Sequence, residues 1–246
     1  MAEVYVLTKI RIKFRKWGCM KFIGHLDMMR YFQKAIRRAN IDICYSEGFS
    51  PHMIMSFAAP LGVGITSDSE YFDIEVHSTT STKEAMKALN ATMVDGIEVN
   101  GYVELPDNAK TAMAIIAAAD YTLFFKEGYD SLLSVEEWKH LIEMHFHGQD
   151  EFKIMKKTKK SEKEVDLKPL VYRFDMEEVM GLPVFKFCVS TGSVDNVKPE
   201  LVLAALFVKA GLIYDENAIQ IHRDEVYSRT ENGELISLLD MGQEIA

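Results

Sequence analysis

The sequence predicts an α+β protein built as two tandem ferredoxin-like (βαββαβ) halves with antiparallel sheets. Three observations carry this expectation. Residues 9–105 read in the order strand, helix, strand, strand, helix, strand, which is the split βαβ unit. A similar order returns between residues 120 and 227. One helix in each half opens on capping-box spacing, Ser81 with Glu84 and Ser134 with Glu137.

Each element has its own signal. KIRIKF (Lys9–Phe14) alternates basic and apolar residues, the period of a half-buried strand. HLDMMRYFQKAIRRA follows as a helix, with Met28, Met29, Phe32, Ile36 and Ala39 on one side and Arg30, Lys34, Arg37 and Arg38 on the other. MIMSFA (Met53–Ala58) and EYFDIEV (Glu70–Val76) are the next strands. A helix from Ser81 ends at Asp95-Gly96, and IEVNGYVEL (Ile97–Leu105) closes the half. In the second half the strands are Asp120–Lys126, Glu151–Lys159, Val184–Ser190 and Ile219–Tyr227. Its helices are Ser134–Phe146 and KPELVLAALFVKAG, with Pro199 near the first turn and Gly211 past the end. The halves share a pattern and no residue-level identity. The expected division is therefore 1–108, 109–228 and a weakly patterned tail, 229–246, that frays.

Composition bounds the function. At 246 residues the chain can bury a substantial core, and 48% hydrophobic with 26% charged content is ordinary for a soluble protein. No run approaches the roughly 18 apolar residues of a membrane helix, and the start lacks signal-peptide architecture. Three scattered cysteines (Cys19, Cys44, Cys188) make no disulfide framework, which points to a cytoplasmic protein with reduced thiols. The net charge of −9 is unevenly spread. Residues 1–40 carry ten Lys/Arg against Glu3 and Asp27, and residues 153–173 carry eight against Glu162, Glu164 and Asp166. A basic patch on an acidic body is one reading; two solvated faces is the other.

Four segments together identify a resemblance: His25-Leu26-Asp27 at a helix start, "YSEGFSPH" (Tyr45–His52), Ser56–Leu61, and "KKSEKEVDLKP" (Lys159–Pro169). With these in order, nearly the whole chain resembles the bacterial radical SAM-linked proteins, a family of unknown function (DUF2344). Gly24 replaces a usual Ser before the helix, Met53-Ile54 replaces a Pro-basic pair, and Lys168 replaces an Arg. The last change forfeits bidentate geometry. The resemblance implies an accessory domain working with a radical SAM protein, with tRNA or rRNA as a further partner. The iron–sulfur cluster and SAM are expected on the partner and no cofactor in this chain, because Cys19, Cys44 and Cys188 cannot converge as a cluster loop.

Candidate site residues follow in three groups. His25, Asp27, Glu47 and His52 are metal ligands by type, but a structural histidine fits better and no metal is expected. His25, Tyr45 and His52 are the residues available for acid–base work, which would make the chain a stand-alone, metal-independent RNA-processing hydrolase. The turn Tyr45, Ser46, Glu47, Gly48, Pro51 and His52 is shaped by Gly48 and Pro51, with Glu47 available to bond nearby backbone N–H groups. The binding group is Arg30, Lys34, Arg37 and Arg38 on the helix and Lys156, Lys157, Lys159 and Lys160 in the second basic segment, supported by Lys9, Arg11 and Lys13 on one strand face. Binding fits more of the sequence than catalysis, so the expectation leans away from an enzyme. A protein-interaction subunit that ignores nucleic acid is the third reading.

Overall fold

The computed structural model describes residues 7–157, 162–193 and 195–246, with the side chains of 156, 157 and 162 excepted. The chain forms two compact units: residues up to 117 together with 225–246, and residues 118–224.

In the first unit, β1 (Thr8–Lys16) leads into α1 (His25–Arg38). The short β2 (Asp42–Ile43) and β3 (Met55–Ala58) both pair with the long β4 (Thr66–Ser78). Helix α2 (Thr82–Asn90) and β5 (Ile97–Leu105) complete the set. The sheet runs β5-β1-β4, with β2 and β3 beyond β4 and every neighbour antiparallel. Strands β1 and β3 are thus separated by β4, the split arrangement the sequence predicts.

Alternation along the strands separates two faces. Ile10, Ile12 and Phe14 of β1 and Phe72, Ile74 and Val76 of β4 meet Met28, Phe32 and Ile36 of α1 and Ala85 and Leu89 of α2. Rings of Phe14, Phe32, Phe57 and Phe72 form its centre, with Phe57 stacked on Phe72 at 4.9 Å. On α1 Ala35 is buried, whereas Met29 and Ala39 are only half-buried. The other face carries Lys9, Arg11, Lys13, Tyr71 and Asp73, and the following segments cover it. Helix α3 (Ala112–Ile115) packs on β3 and β4, and the turn Leu239–Met241 packs on β1 and β5.

The tail is a correction to the sequence reading. Residues expected to fray are fixed in the first unit: Leu238 is buried, Gln243 bridges Glu104, and Ile245 N–H donates to Thr82 Oγ1 at 2.9 Å. The weak pattern there reflects a segment held by backbone bonds and single side chains rather than by periodicity.

The second unit contains β6 (Ala118–Phe125), α4 (Val135–Ile142), β7 (Lys153–Lys157), β8 (Glu162–Asp166), β9 (Val171–Val179), β10 (Leu182–Ser190) and α5 (Pro199–Lys209). Residues 219–224 of β11 (Ile219–Arg229) close it. The order β11-β6-β10-β9 matches that of the first unit. The last residues of β11 pair with β12 (Leu235–Ser237) in the first unit. The expected strand Glu151–Lys159 is displaced: β7 pairs with β8 as a separate hairpin, and β9 takes the sheet position. Strand β9 buries only Val171 and Phe174, so its sequence VYRFDMEEV shows little alternation. It joins β10 through Met180 and Gly181, with φ of 53° and 80°, the positive values that a two-residue hairpin turn needs. The core here is Trp138, edge-on to Phe185 at 5.3 Å, and Phe174 stacked on Phe187 at 4.3 Å.

Candidate functional site

The Tyr45–His52 turn is a loop hung on the middle of one strand. Ile43 pairs with Val76 and Met55 with Ile74, so the eleven intervening residues leave the sheet and return almost in register. The neck is closed by backbone bonds. Cys44 N–H donates to Glu75 O at 2.8 Å, Ile54 N–H to Cys44 O at 2.9 Å, and Ser46 N–H to His52 O at 2.9 Å. Ser46 Oγ accepts from His52 N–H at 3.1 Å and lies 2.8 Å from His52 Nδ1. Gly48 supplies φ of +109° at the tip, which a side chain would resist. Ser46, not Glu47, therefore does the local bonding. Tyr45, Glu47, Phe49 and His52 are exposed.

His25 sits elsewhere. At the first turn of α1 its ring stands edge-on to Phe57, with centroids 5.4 Å apart, on the helix-covered face. It lines a hollow of about 10 Å³ with Lys16, Pro60, Leu61 and Glu70, room for little more than one water. Asp27 is exposed and pairs with Arg30 at 3.2 Å. His52 instead borders a cavity of about 270 Å³ together with Lys9, Ser56, Asp73, Glu75 and Lys110. The two hollows share no lining residue. The structure thus gathers Tyr45, Ser46 and His52 and leaves His25 apart. Among the described residues, no three His, Cys, Asp or Glu side chains converge as a metal site.

Asp73, which lines the cavity, belongs to a buried ion pair whose cation the sequence assigned differently. Arg11, grouped with Lys9 and Lys13 as a basic strand face, is wholly buried. Its Nε donates to Asp73 Oδ1 at 2.8 Å, Nη2 to Asp73 Oδ2 at 3.1 Å, and Nη1 to Leu238 O at 3.1 Å. Asp73 Oδ2 also accepts Ala112 N–H at 2.6 Å. Lys13 pairs with Glu225 at 2.7 Å, and Lys9 Nζ donates to Asp107 O and Ala109 O. The strand face is internal wiring: each of its three cations has a partner within the first unit. The signal was present: acidic Asp73 and Glu75 alternate on β4 as Lys9, Arg11 and Lys13 do on β1. Pairing that signal required knowing the register, Arg11 opposite Asp73.

Helix α1 keeps its cations outward. Arg30, Lys34, Arg37 and Arg38 are all exposed, and among the described residues only Arg30 has an ion-pair partner. Lys159 and Lys160, and the side chains of Lys156 and Lys157, lie outside the described residues. The neighbouring motif residues are structural. Asp166 Oδ1 accepts the N–H groups of Phe152 and Lys168, and Lys168 Nζ donates to Phe146 O while lying 4.1 Å from the Phe146 ring centroid. A single carbonyl acceptor asks for a point donor, which Lys provides without a guanidinium fork.

The thiols separate in the same way. Cys44 and Cys188 are buried and Cys19 is exposed. Burial, then the charges of Glu75 and Asp42, push the Cys44 thiol pKa up, so it is a poor nucleophile.

Two antiparallel split-βαβ units, one with a strand-borne polar loop above a lined cavity, define an α+β protein of the ferredoxin-like class. The chain belongs to the family described as an uncharacterized protein conserved in bacteria (DUF2344), whose pattern matches residues 9–199. No curated protein matches it. Among solved structures, a chain in a crystal structure of a Cbf5-Nop10-Gar1 complex is similar at 12% identity and a TM-score of 0.47. That match covers 88% of this chain and 48% of the other, so this chain spans about half its length. An unknown protein from Galdieria sulphuraria is similar at 12% identity and a TM-score of 0.25, over 89% of this chain and 98% of that one. Among the described residues no helix is long and apolar enough to cross a membrane.

Proposed function

We propose that the chain is an accessory domain that holds RNA for a partner radical SAM enzyme, with the outer face of α1 against the phosphate backbone. The observation that carries this is the α1 stripe: Arg30, Lys34, Arg37 and Arg38 exposed on one helix of a chain with net charge −9. Of these, Lys34, Arg37 and Arg38 have no ion-pair partner among the described residues, and Arg30 meets only the exposed Asp27. Cations held outward in this way attract a polyanion, and the acidic remainder discourages indiscriminate adhesion. The motifs shared with radical SAM-linked proteins support the partner, which would carry the cluster and SAM.

The test is RNA retention against salt. Four phosphate contacts give a slope of log affinity on log salt of roughly −3 to −4. Between 50 and 200 mM salt the affinity then falls on the order of a hundredfold. Changing Arg30, Lys34, Arg37 and Arg38 to Glu should abolish retention, and RNA retained at unaltered affinity would sink the proposal. A native pull-down that recovers a radical SAM protein and no RNA would point to a protein-interaction subunit instead.

A further inference from the structure

The cavity beneath the strand-borne loop has polar groups that the fold does not use. Asp73 is saturated by Arg11 and Ala112 N–H, and Lys9 Nζ is committed to the carbonyls of Asp107 and Ala109. The Glu75 carboxylate is half-buried, lines the cavity, and has no hydrogen bond or ion pair among the described residues. Ser56, on the neighbouring strand, is likewise half-buried, and its hydroxyl has no hydrogen bond among the described residues. His52 is anchored through Nδ1, which leaves Nε2 available at the mouth, and Lys110 is exposed at the rim. Met55, Leu105 and Ala109 supply apolar wall.

A half-buried carboxylate is stabilised by two N–H donors side by side. A guanidinium ligand would supply them, but Lys9 and Lys110 border the same space and repel a cation. A neutral heterocycle with adjacent ring and amino N–H groups satisfies the carboxylate without adding charge. A phosphate on the same ligand then finds Lys110 at the rim. Thioether and aliphatic walls suit the flat ring. At about 270 Å³ the space is just under the usual size of a ligand pocket, which limits it to a single nucleoside-sized group.

We propose that this cavity binds a guanine nucleotide, with the N1–H and amino edge of the base on Glu75 and the phosphate toward Lys110. The guanine comes either as free nucleotide or as one unstacked residue of RNA. Only the second source rests on the RNA-binding reading of α1.

Equilibrium dialysis of the whole chain with GMP, IMP and AMP tests it. IMP lacks the amino donor and AMP presents the wrong edge, so affinity should fall from GMP to IMP by roughly tenfold and again to AMP. Glu75→Gln should weaken GMP by at least roughly tenfold. Lys110→Glu, at an exposed position where folding is not at risk, should do likewise. A parallel arm compares single-stranded RNA oligomers carrying one G or an A in its place. GMP binding identifies the free nucleotide as a sufficient source; preference for G in the oligomer alone identifies RNA. Equal affinity for GMP and AMP, or no GMP binding and no G preference, overturns the inference. RNA retained without G preference overturns the cavity alone, whereas GMP bound without RNA retention overturns the α1 reading alone.

Discussion

Replacing Arg11 with Met should destabilise the first unit far more than a typical core substitution. The guanidinium is fully buried and donates twice to Asp73, once each to the carbonyls of Leu238 and Lys110, and weakly to Met241 Sδ. Its removal leaves the buried Asp73 carboxylate with a single donor among the described residues, Ala112 N–H. Breaking one side of such a pair costs about 3–5 kcal/mol, because the remaining charge is uncompensated. Two lost charge-assisted bonds at about 1.5–3 kcal/mol each give about 3–6 kcal/mol, an overlapping range. Removing both charges tells a different story. Arg11→Met with Asp73→Leu deletes the stranded charge and adds only the unsatisfied Ala112 N–H, a cost of about 1–3 kcal/mol, to the Leu238 and Lys110 carbonyls that both variants leave without Arg11. The double variant should thus be more stable than the Arg11→Met single. Urea unfolding, with amide exchange in β1 and β4 as the local readout, measures both. An Arg11→Met cost below about 1 kcal/mol, or purely additive costs, would refute the view that this pair is strongly coupled.

Three further outcomes follow from local geometry. Gly96→Ala should destabilise by about 1–3 kcal/mol, because φ is +93° and the added Cβ would lie 2.7 Å from Met20 Cγ and 2.8 Å from Trp17 O; an unchanged urea midpoint would contradict this. Ser134→Ala removes an N-cap whose hydroxyl accepts Glu137 N–H while Glu137 bonds back to Ser134 N–H, so thermal unfolding should register a loss of about 1 kcal/mol. Alkaline titration should show Tyr71, Tyr102 and Tyr214 staying neutral past the ordinary phenol range. Burial raises all three pKa values, with Glu225 adding to Tyr71 and Glu200 to Tyr214. A raised native pKa means stability is intact below the unfolded value of about 10 and is lost as pH rises above it. Phenolate absorbance and loss of fold should coincide there for these side chains, and three phenols ionising reversibly in the folded chain would be the contrary result.

Local signals were the legible ones. Helix α1 was readable because Met28, Phe32 and Ile36 recur at helical spacing, and α4 because its capping box is complete. The box expected at Ser81 is half there: Ser81 Oγ accepts Glu84 N–H, while Glu84 turns to the hydroxyl rather than to the backbone. What escaped the sequence depends on distant partners. Strand β9 is polar on most of its length and exists because β10 pairs with it. The strand holding Ile43 and Met55 looked like a turn followed by a strand, because only pairing with β4 reveals that the two pieces are collinear. Lys9, Arg11 and Lys13 looked like a surface because their partners come from β4, β11 and residues 107–110. Within the candidate site, Tyr45, Ser46 and His52 were readable as a group. Glu75 was not, since nothing local distinguishes an idle carboxylate from a paired one.

The return of residues 225–246 to the first unit also sets an order of events during synthesis. About a hundred residues of the second unit are made between β5 and the segment that supplies Leu238 and Ile245. At ribosomal rates of 5–20 residues per second, the second unit alone takes roughly 5–20 s. Throughout that time, the nascent first unit must hold Arg11 with one of its carbonyl acceptors not yet translated. The second unit, continuous in sequence, has all its pieces within one stretch. A chaperone reading the emerging chain would therefore meet the earlier-made unit in its unfinished form for longer.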